Sequence, residues 1–549
     1  MKASDLFVRC LEAEGVERIY GVPGEENADF LMSLEGSSID FVLTRHEQAA
    51  AFMAAAEGKL TGRPGVCLAT LGPGATNLIT GVADGNMDRA PLLVITGQGA
   101  TTRQHKESHQ IMDVVEMYRP VTKWSRAVLD PSNIPEIVRK AMKLAAAEKP
   151  GATHIELAED IAAMQVEGAP LAPQKTRRPV PDDKIIDRAW ALIKGAKRPL
   201  IIAGNGAIRT RASKQLRRFC DATEIGVLMT FMAKGAVGRD APYCLFTIGM
   251  GQKDIPLKAI EDADLIITVG YDMVEYPPSS WNPGRDKPIL HMDFYPAEVD
   301  AHYMPAEEVV GDLAHGLWML NERVGRDGLK PAQLGVQRAV REAMQGEFDA
   351  HARDDTEGVI RPQKAIFDLR EALGPEDLLF SGVGAHKMWI ARHYQADAPG
   401  TCFISNGFCS MGMALPAAIA AAHLQPERRV LAVVGDGDML MNVQDMETAK
   451  RMGTSLVAMV WEDHGYGLIE WKQQQEFSAH TNLAFGNPDW VQLAESFGWA
   501  GHRCERAGDL RGVLEAAFQE DGPSLVVIPI DYSENMKLTR RLGEITVRF

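Results

Sequence analysis

Short, almost uniformly apolar runs that end in glycine-containing turns recur along the chain, each followed by a stretch in which apolar positions take the helical spacing. In the first third the runs are ERIYGVPG, IDFVLTR, GVCLATLGPG and APLLVITGQ, interleaved with helical segments such as HEQAAAFMAAAEGKL and ATNLITGVADG. That alternation predicts parallel strands joined by crossover helices. It closes near ATHIELAED (152–160), and EGAPLAPQKTRRPVPDD (167–183), rich in Pro, Lys and Arg, reads as an exposed linker. A second unit opens at RPLIIAGNGAI (198–208) and runs through ADLIITVGYD (263–272) to KPILHMDFYP (287–296). The polar segment VQRAVREAMQGEFDAHARDDTEG (336–358) reads as a connecting helix. A third unit starts near Arg361, with strands in DLLFSGVG, TCFISNG, RVLAVVGDG, SLVAMVWED and SLVVIPIDY. The pattern predicts an α/β chain of three consecutive open parallel-sheet domains, at 1–165, 185–330 and 361–549.

Length agrees, because 549 residues exceed what one core organises and suit about three domains. Composition is that of an ordinary globular protein, 46% hydrophobic and 24% charged. A net charge of −16 excludes a nucleic-acid backbone or an anionic membrane as the main partner. The seven cysteines are scattered with no CxxC pair, which points to free thiols in a reducing compartment. The amino-terminal MKASDLFVRCLEAEGVERIYGVPG reads as an amphipathic helix, a strand and a glycine turn, with none of the character of a signal peptide. No apolar run approaches the length needed to span a bilayer. A cytoplasmic, multidomain protein is the expectation, and its charge still permits a small anion at a local site.

The glycine turns are where such a ligand would sit, since open parallel sheets bind at the carboxyl ends of their strands. GNGAIR (204–209) lacks the last glycine of a dinucleotide fingerprint and reads as a tight strand-to-helix turn. GDGDMLMN (435–442) carries more chemistry: Gly435 and Gly437 permit close backbone approach, and Asp436 makes sense beside a phosphate only if it holds a divalent cation. The next strand ends at WEDHGYG (461–467), which places Asp463 beside Asp436. Two carboxylates and a backbone carbonyl form a hard oxygen set suited to magnesium rather than zinc. Glu462 and His464 read as parts of a polar loop.

GDG, then 27 residues (436 to 463), then a polar pair followed by G-Y-G, resembles the diphosphate motif of thiamine-diphosphate enzymes, in which the pair is usually Asn-Asn. The resemblance implies Asp436, Asp463 and the Gly465 carbonyl as Mg2+ ligands and the three units as pyrimidine-binding, central Rossmann-like and diphosphate-binding domains. It implies Glu47, in TRHEQAAAFMAAA, as the acid that activates the aminopyrimidine, with Pro73 and Asn77 of LGPGATN nearby and Pro23 in the preceding turn. It places Val383, Gly384, Ala385 and His386 of GVGAHKMW, and Gly435, Gly437, Asp438, Tyr466 and Gly467, around the diphosphate. In ISNGFCSMGMALPAA the Cys409 carbonyl would face the exocyclic amine and Met411 would wedge the bent cofactor. Because Glu47 and Asp436 lie in different domains, the cofactor would be shared between subunits of an obligate homodimer or a homotetramer.

Across nearly the whole chain the resemblance is closest to acetolactate synthases of the catabolic, flavin-independent type. GYDMVEYPPSSW (270–281) stands where FAD-binding members carry an Arg-rich stretch, and PIDYSENMKL (529–538) is similar to the tail of the catabolic group. Thiamine diphosphate and Mg2+ are therefore expected and FAD is not. Gln110 would point toward the substrate, and Leu468, Ile469 and Trp471 would line its pocket, implying condensation of two pyruvate to 2-acetolactate with loss of CO2. GVPGEEN (21–27) departs from the pattern with Glu25, in a turn where a lysine lies nearby in the catabolic group, which leaves open what holds the substrate carboxylate. Other thiamine-dependent 2-oxo acid decarboxylases or carboligases, of glyoxylate, 2-hydroxyacyl-CoA or oxalyl-CoA type, stay open as alternatives. So do a non-catalytic homologue and an oxidoreductase built on GNGAIR.

Overall fold

The computed structural model describes residues 1–174, 176–250 and 254–536. Among them eighteen strands form three six-stranded sheets, each parallel throughout. The first contains β1 (Arg18–Gly21), β2 (Asp40–Leu43), β3 (Gly65–Ala69), β4 (Leu92–Gln98), β5 (Trp124–Ala127) and β6 (Ala152–Ala158), in the order β2-β1-β3-β4-β6-β5. The second contains β7 (Pro199–Ala203), β8 (Val227–Met229), β9 (Cys244–Thr247), β10 (Leu265–Val269), β11 (Ile289–Asp293) and β12 (Glu307–Val310), in the order β12-β11-β10-β7-β8-β9. The third contains β13 (Leu378–Ser381), β14 (Cys402–Ile404), β15 (Val430–Gly435), β16 (Val457–Glu462), β17 (Ala500–Arg503) and β18 (Ser524–Pro529), in the order β14-β13-β15-β16-β18-β17. Strand for strand, the first and third sheets share one topology.

The apolar runs became thirteen of these strands, the edge strands β2 and β14 among them. All seven residues of β4 and of β6 are buried, as a parallel sheet covered on both faces requires. The sequence reading passed over five strands. Three of these lie at edges or end in polar residues (WSRA in β5, EEVV in β12, AGHR in β17), where burial is partial and the apolar signal weak. The other two, β8 and β9, are only three and four residues long. The polar segment at 336–358 forms the helix Gly335–Asp349, which does more than connect. Its Gln337 amide ties β7 to the strand beside it, donating to the Pro199 carbonyl at 2.8 Å and accepting from Gly226 N–H at 2.9 Å. The expected tail similarity at 529–538 reaches Lys537 and Leu538, which lie outside the described residues.

Close packing of small residues joins the first and third sheets. Helix Glu47–Thr61 (EQAAAFMAAAEGKLT) lies between helix Pro73–Met87 and the alanine-rich helix Ala414–Leu424, and one hydrophobic cluster runs from Tyr20 and Met53 through Ala417 and Ala420 to Leu525. At Gly81 a Cβ would sit 2.6 Å from that of Ala51, so this crossing requires glycine. The second sheet keeps a core of its own, from Ile186 and Trp190 to Met344. Among the described residues no helix is long and apolar enough to cross a membrane.

His154 on β6 is fully buried and stacked on Tyr118 with centroids 4.2 Å apart. Ser125 Oγ donates to the Val115 carbonyl, so it accepts from His154 Nδ1, leaving Nε2 to accept from Thr96 Oγ1; both imidazole contacts are 2.8 Å. Burial pushes this imidazole down to about 3. Below the unfolded value near 6.5 the unfolded chain gains a proton that the native state refuses, so this part of the stability is complete above that pH and declines on acidification toward pH 3. In urea titrations the wild type is expected to lose about 2 kcal/mol more between pH 7 and pH 5 than His154→Leu, which should itself be less stable at pH 7. Equal losses in the two proteins would show that His154 is not held neutral.

Candidate active site

In the third sheet the strand order reverses between β13 and β15, and the turns that follow these two strands face each other across the crevice this creates. The turn after β13, Gly382–Ala385, leads into helix Ala385–His393, and the turn after β15 carries Gly435–Asp438. His386 lies between them. It is buried, its ring is close enough to Gly435 that a Cβ there would approach Nδ1 to 3.1 Å, and burial lowers it to about 3, so it is neutral. Its Nε2 has no hydrogen-bond partner and faces Asp438 Oδ2, also unpartnered, at 3.7 Å. Asp438 accepts at 2.6 Å from Gly412 N–H and also from the Val383 backbone, so it ties both loops to this turn. Burial raises its carboxyl to about 7.

Register brings the acidic pair together. Gly435 on β15 is opposite Trp461 on β16, so the residues just beyond the two strands share one strand end. Asp436 Oδ2 accepts from His464 N–H at 2.7 Å, from Asp463 N–H at 3.2 Å and from Asn487 Nδ2 at 2.9 Å, and Oδ1 accepts from Gly437 N–H at 2.8 Å. Burial, with the charge of Asp436, raises the Asp463 carboxyl to about 8. A Cβ at Gly467 would lie 2.2 Å from Asp463 Oδ2, so a larger residue there would displace the Asp463 carboxylate. Gly465 bridges to Ala484, while Tyr466 stacks edge-on with Phe485 and covers Gly437. Among the described residues no three His, Cys, Asp or Glu side chains converge on one point, so a cation here would draw on two carboxylates and backbone oxygen.

Glu462 differs from expectation. His464 is exposed, as a polar loop implies, but Glu462 is the buried last residue of β16. It accepts from Trp490 Nε1 at 2.9 Å, Arg503 Nη2 at 3.0 Å and Asn487 Nδ2 at 3.3 Å, and so braces the turn of Asp463 from behind. Asn487, which touches both Asp436 and Glu462, had no sequence signal: it lies 51 residues beyond Asp436 in an irregular segment.

The first sheet assembles a second group. Glu47, 8% exposed, opens helix Glu47–Thr61 directly after the β2 turn, and the His46 imidazole caps that helix by accepting from Gln48 N–H. Asn77 Nδ2 donates to Glu47 Oε2 at 2.9 Å, and Gly74 lies against Oε1. Exposed Pro73 is the first residue of helix Pro73–Met87, and exposed Pro23 sits in the turn after β1. Gln110 takes a left-handed backbone (φ 57°) and packs on Gly72 (φ 52°), directly before Pro73. The structure thus brings Glu47, Pro73, Asn77 and Gln110 into one neighbourhood.

Between the two groups runs the loop that carries Cys409 and Met411. Asp84, on the same helix as Asn77, accepts from Ser405 Oγ at 2.6 Å and Ser410 N–H at 3.1 Å, and Asp88 accepts from Gly407 N–H at 2.8 Å. Cys409 has a left-handed backbone (φ 60°), and both it and Met411 are half-buried. Of the residues after the turn at 463–467, Leu468 is half-buried, Ile469 exposed, and Trp471 buried in the core of the third sheet.

Comparison with known proteins agrees with this arrangement. Residues 1–117, 186–320 and 382–528 match the family models of the N-terminal, central and C-terminal domains of thiamine pyrophosphate enzymes. The chain is 32% identical to the acetolactate synthase of Bacillus subtilis (strain 168), over 99% of this chain and 96% of that protein. It is 33% identical to the catabolic acetolactate synthase of Raoultella terrigena, over 98% and 97%. With the chloroplastic acetolactate synthase 1 of Nicotiana tabacum it shares 31% identity over 97% and 82%. Full-length similarity, a family match in each of the three units and the two residue groups at the strand ends together make the chain a member of the acetolactate synthase family of thiamine-diphosphate enzymes.

Proposed function

We propose that this protein is an acetolactate synthase that uses thiamine diphosphate and Mg2+ to condense two pyruvate into 2-acetolactate, releasing CO2. The observation that carries the reading is the pairing of a buried glutamate held by Asn77 with two adjacent carboxylates at strand ends, in a chain similar end to end to acetolactate synthases.

The residues fit the group. A buried, unpartnered imidazole nitrogen at the start of helix Ala385–His393, set between glycines, suits a phosphate oxygen, and the Asp436–Asp463 pair with the Gly465 carbonyl suits a small hard cation. When bound, thiamine diphosphate supplies an electron sink that stabilises the charge left on a 2-oxo acid when CO2 departs. Glu47 holds a proton at the pyrimidine nitrogen. Asn77 fixes the carboxyl in place, and Pro73, Pro23 and Gln110 border the same space. Met411 and the Cys409 carbonyl support the cofactor from the opposite loop. Leu468 and Ile469 would stand toward the acceptor side, with Trp471 packed behind them in the core of the third sheet.

Independence from flavin has its own support. In the central unit the GNGAIR turn is filled by the chain itself: Gly206 N–H donates to the Gly270 carbonyl at 2.8 Å and Asn205 N–H to Glu275 Oε1 at 2.9 Å. Those backbone donors are the ones a dinucleotide phosphate would use. The seven free thiols suit a reducing, cytoplasmic setting. Assembly as a homodimer or homotetramer, with Glu47 of one subunit serving Asp436 of another, completes the reading.

With purified protein, thiamine diphosphate and Mg2+, pyruvate should yield acetolactate; activity confined to glyoxylate or an acyl-CoA, or a yellow flavin-bearing protein, would refute this assignment. Glu47→Gln should bind thiamine diphosphate within about threefold of wild type yet lose at least ~100-fold in turnover. Chelation should abolish cofactor binding, measured by tryptophan fluorescence, and Mg2+ should restore it. In Asp463→Ala the apparent Mg2+ requirement should rise about tenfold or more.

A further inference from the structure

Lys387 is a charged side chain buried to 5% exposure in the first turn of helix Ala385–His393. Its Nζ donates to Cys409 Sγ at 3.0 Å, and among the described residues no carboxylate forms an ion pair with it. A thiol is a weak acceptor, and a buried ammonium that lacks an anion is costly. A second lysine lies close by. Lys472, on helix Gly467–Phe477, is lowered by burial and then by the charge of Lys387. The two helices begin at the turns after β13 and β16, which carry His386 and Asp463, and both lysines neighbour Cys409. Successive helical residues point about 100° apart. His386 is turned toward Gly435, so Lys387 is directed away from that glycine turn and toward Cys409.

We propose that Lys387, with Lys472 beside it, binds the carboxylate of the acceptor 2-oxo acid and keeps it through to the product. The assignment rests on the pyruvate-condensing reading and goes beyond it by naming the charge partner of one of the two substrates. Acceptor and donor differ in what happens to their carboxylates. The donor loses its own, and a cation that grips it would stabilise the ground state more than the transition state and slow the loss of CO2. The acceptor carboxylate survives unchanged, so a fixed ammonium helps both binding and orientation of the keto carbon. A lysine pair therefore suits the acceptor.

Two measurements on the holoenzyme test this. After CO2 has left, the two-carbon fragment either takes a proton and departs as acetaldehyde or joins the acceptor. In Lys387→Met the ratio of acetaldehyde to acetolactate formed from pyruvate should rise about tenfold or more, with thiamine diphosphate affinity within about threefold, while Lys387→Arg should retain most of the wild-type ratio. Lys387→Gln provides the same test should the methionine variant fold poorly. The second measurement needs no turnover. Of the seven cysteines Cys409 alone is not fully buried, and lactate, a carboxylate without the reactive keto group, should slow its alkylation by iodoacetamide in the wild type but not in Lys387→Met. An unchanged product ratio in both apolar variants, protection by lactate that survives the loss of Lys387, or a fall in cofactor affinity with the ratio unaltered would each overturn the assignment. The last would mean that the lysine serves the diphosphate. If wild type forms nothing from pyruvate, the functional reading above fails, and the alkylation measurement still decides the carboxylate site.

Discussion

Two carboxylates held side by side at the ends of neighbouring parallel strands set the terms for this site. Asp436 and Asp463 are brought together by the β15–β16 register. Asp436 is fixed by four donors, and the Asp463 carboxylate lies where a Cβ on Gly467 would meet it. Burial, and then the charge of Asp436, raises the Asp463 carboxyl, a cost that a divalent cation would remove. The surrounding features support this arrangement. Glu462 anchors the base of the turn to Trp490 and Arg503, and Asp438 joins the glycine turn to Gly412 and Val383.

A single helix reaches the Glu47 group and the loop that runs between the two groups. Along Pro73–Met87, Asn77 near the start holds Glu47, and Asp84 two turns later holds the loop of Cys409 and Met411. Burial and the neighbouring Asp88 raise Asp84 to about 7, so the clamp stores charge that its hydroxyl and N–H partners only partly offset. A rigid rod of about 10 Å between these contacts relates the position of the acid to that of the loop.

The sequence revealed what strands display and concealed what loops bring together. Asp436 and Asp463 could be read because each directly follows an apolar run, and Glu47 because it opens a helix after one. Apolar strands were visible at the edges (β2, β14) as well as inside, whereas β5, β12 and β17, with partly exposed polar residues, and the short β8 and β9 blended into the connections. Asn487 and Lys387 could not be found: one arrives from an irregular segment, and the other looks like any helical lysine until its burial is known. Glu462 was misjudged for a related reason. A charged residue at a strand end reads as the start of a loop, and only the distant Trp490 and Arg503 make it an interior anchor.

The shared core of the first and third sheets bears on how the molecule comes apart. Because one hydrophobic cluster passes through helices Glu47–Thr61 and Ala414–Leu424, residues more than 350 positions apart belong to one cooperative unit, while the central sheet, with its own core, forms another. The order of the domains along the chain is therefore not the order of unfolding. Partial denaturation can open the middle of the polypeptide while its two ends remain locked together, and a single midpoint describes neither event. Both residue groups of the candidate active site, that of Glu47 and that of Asp436, ride on elements of this joint core.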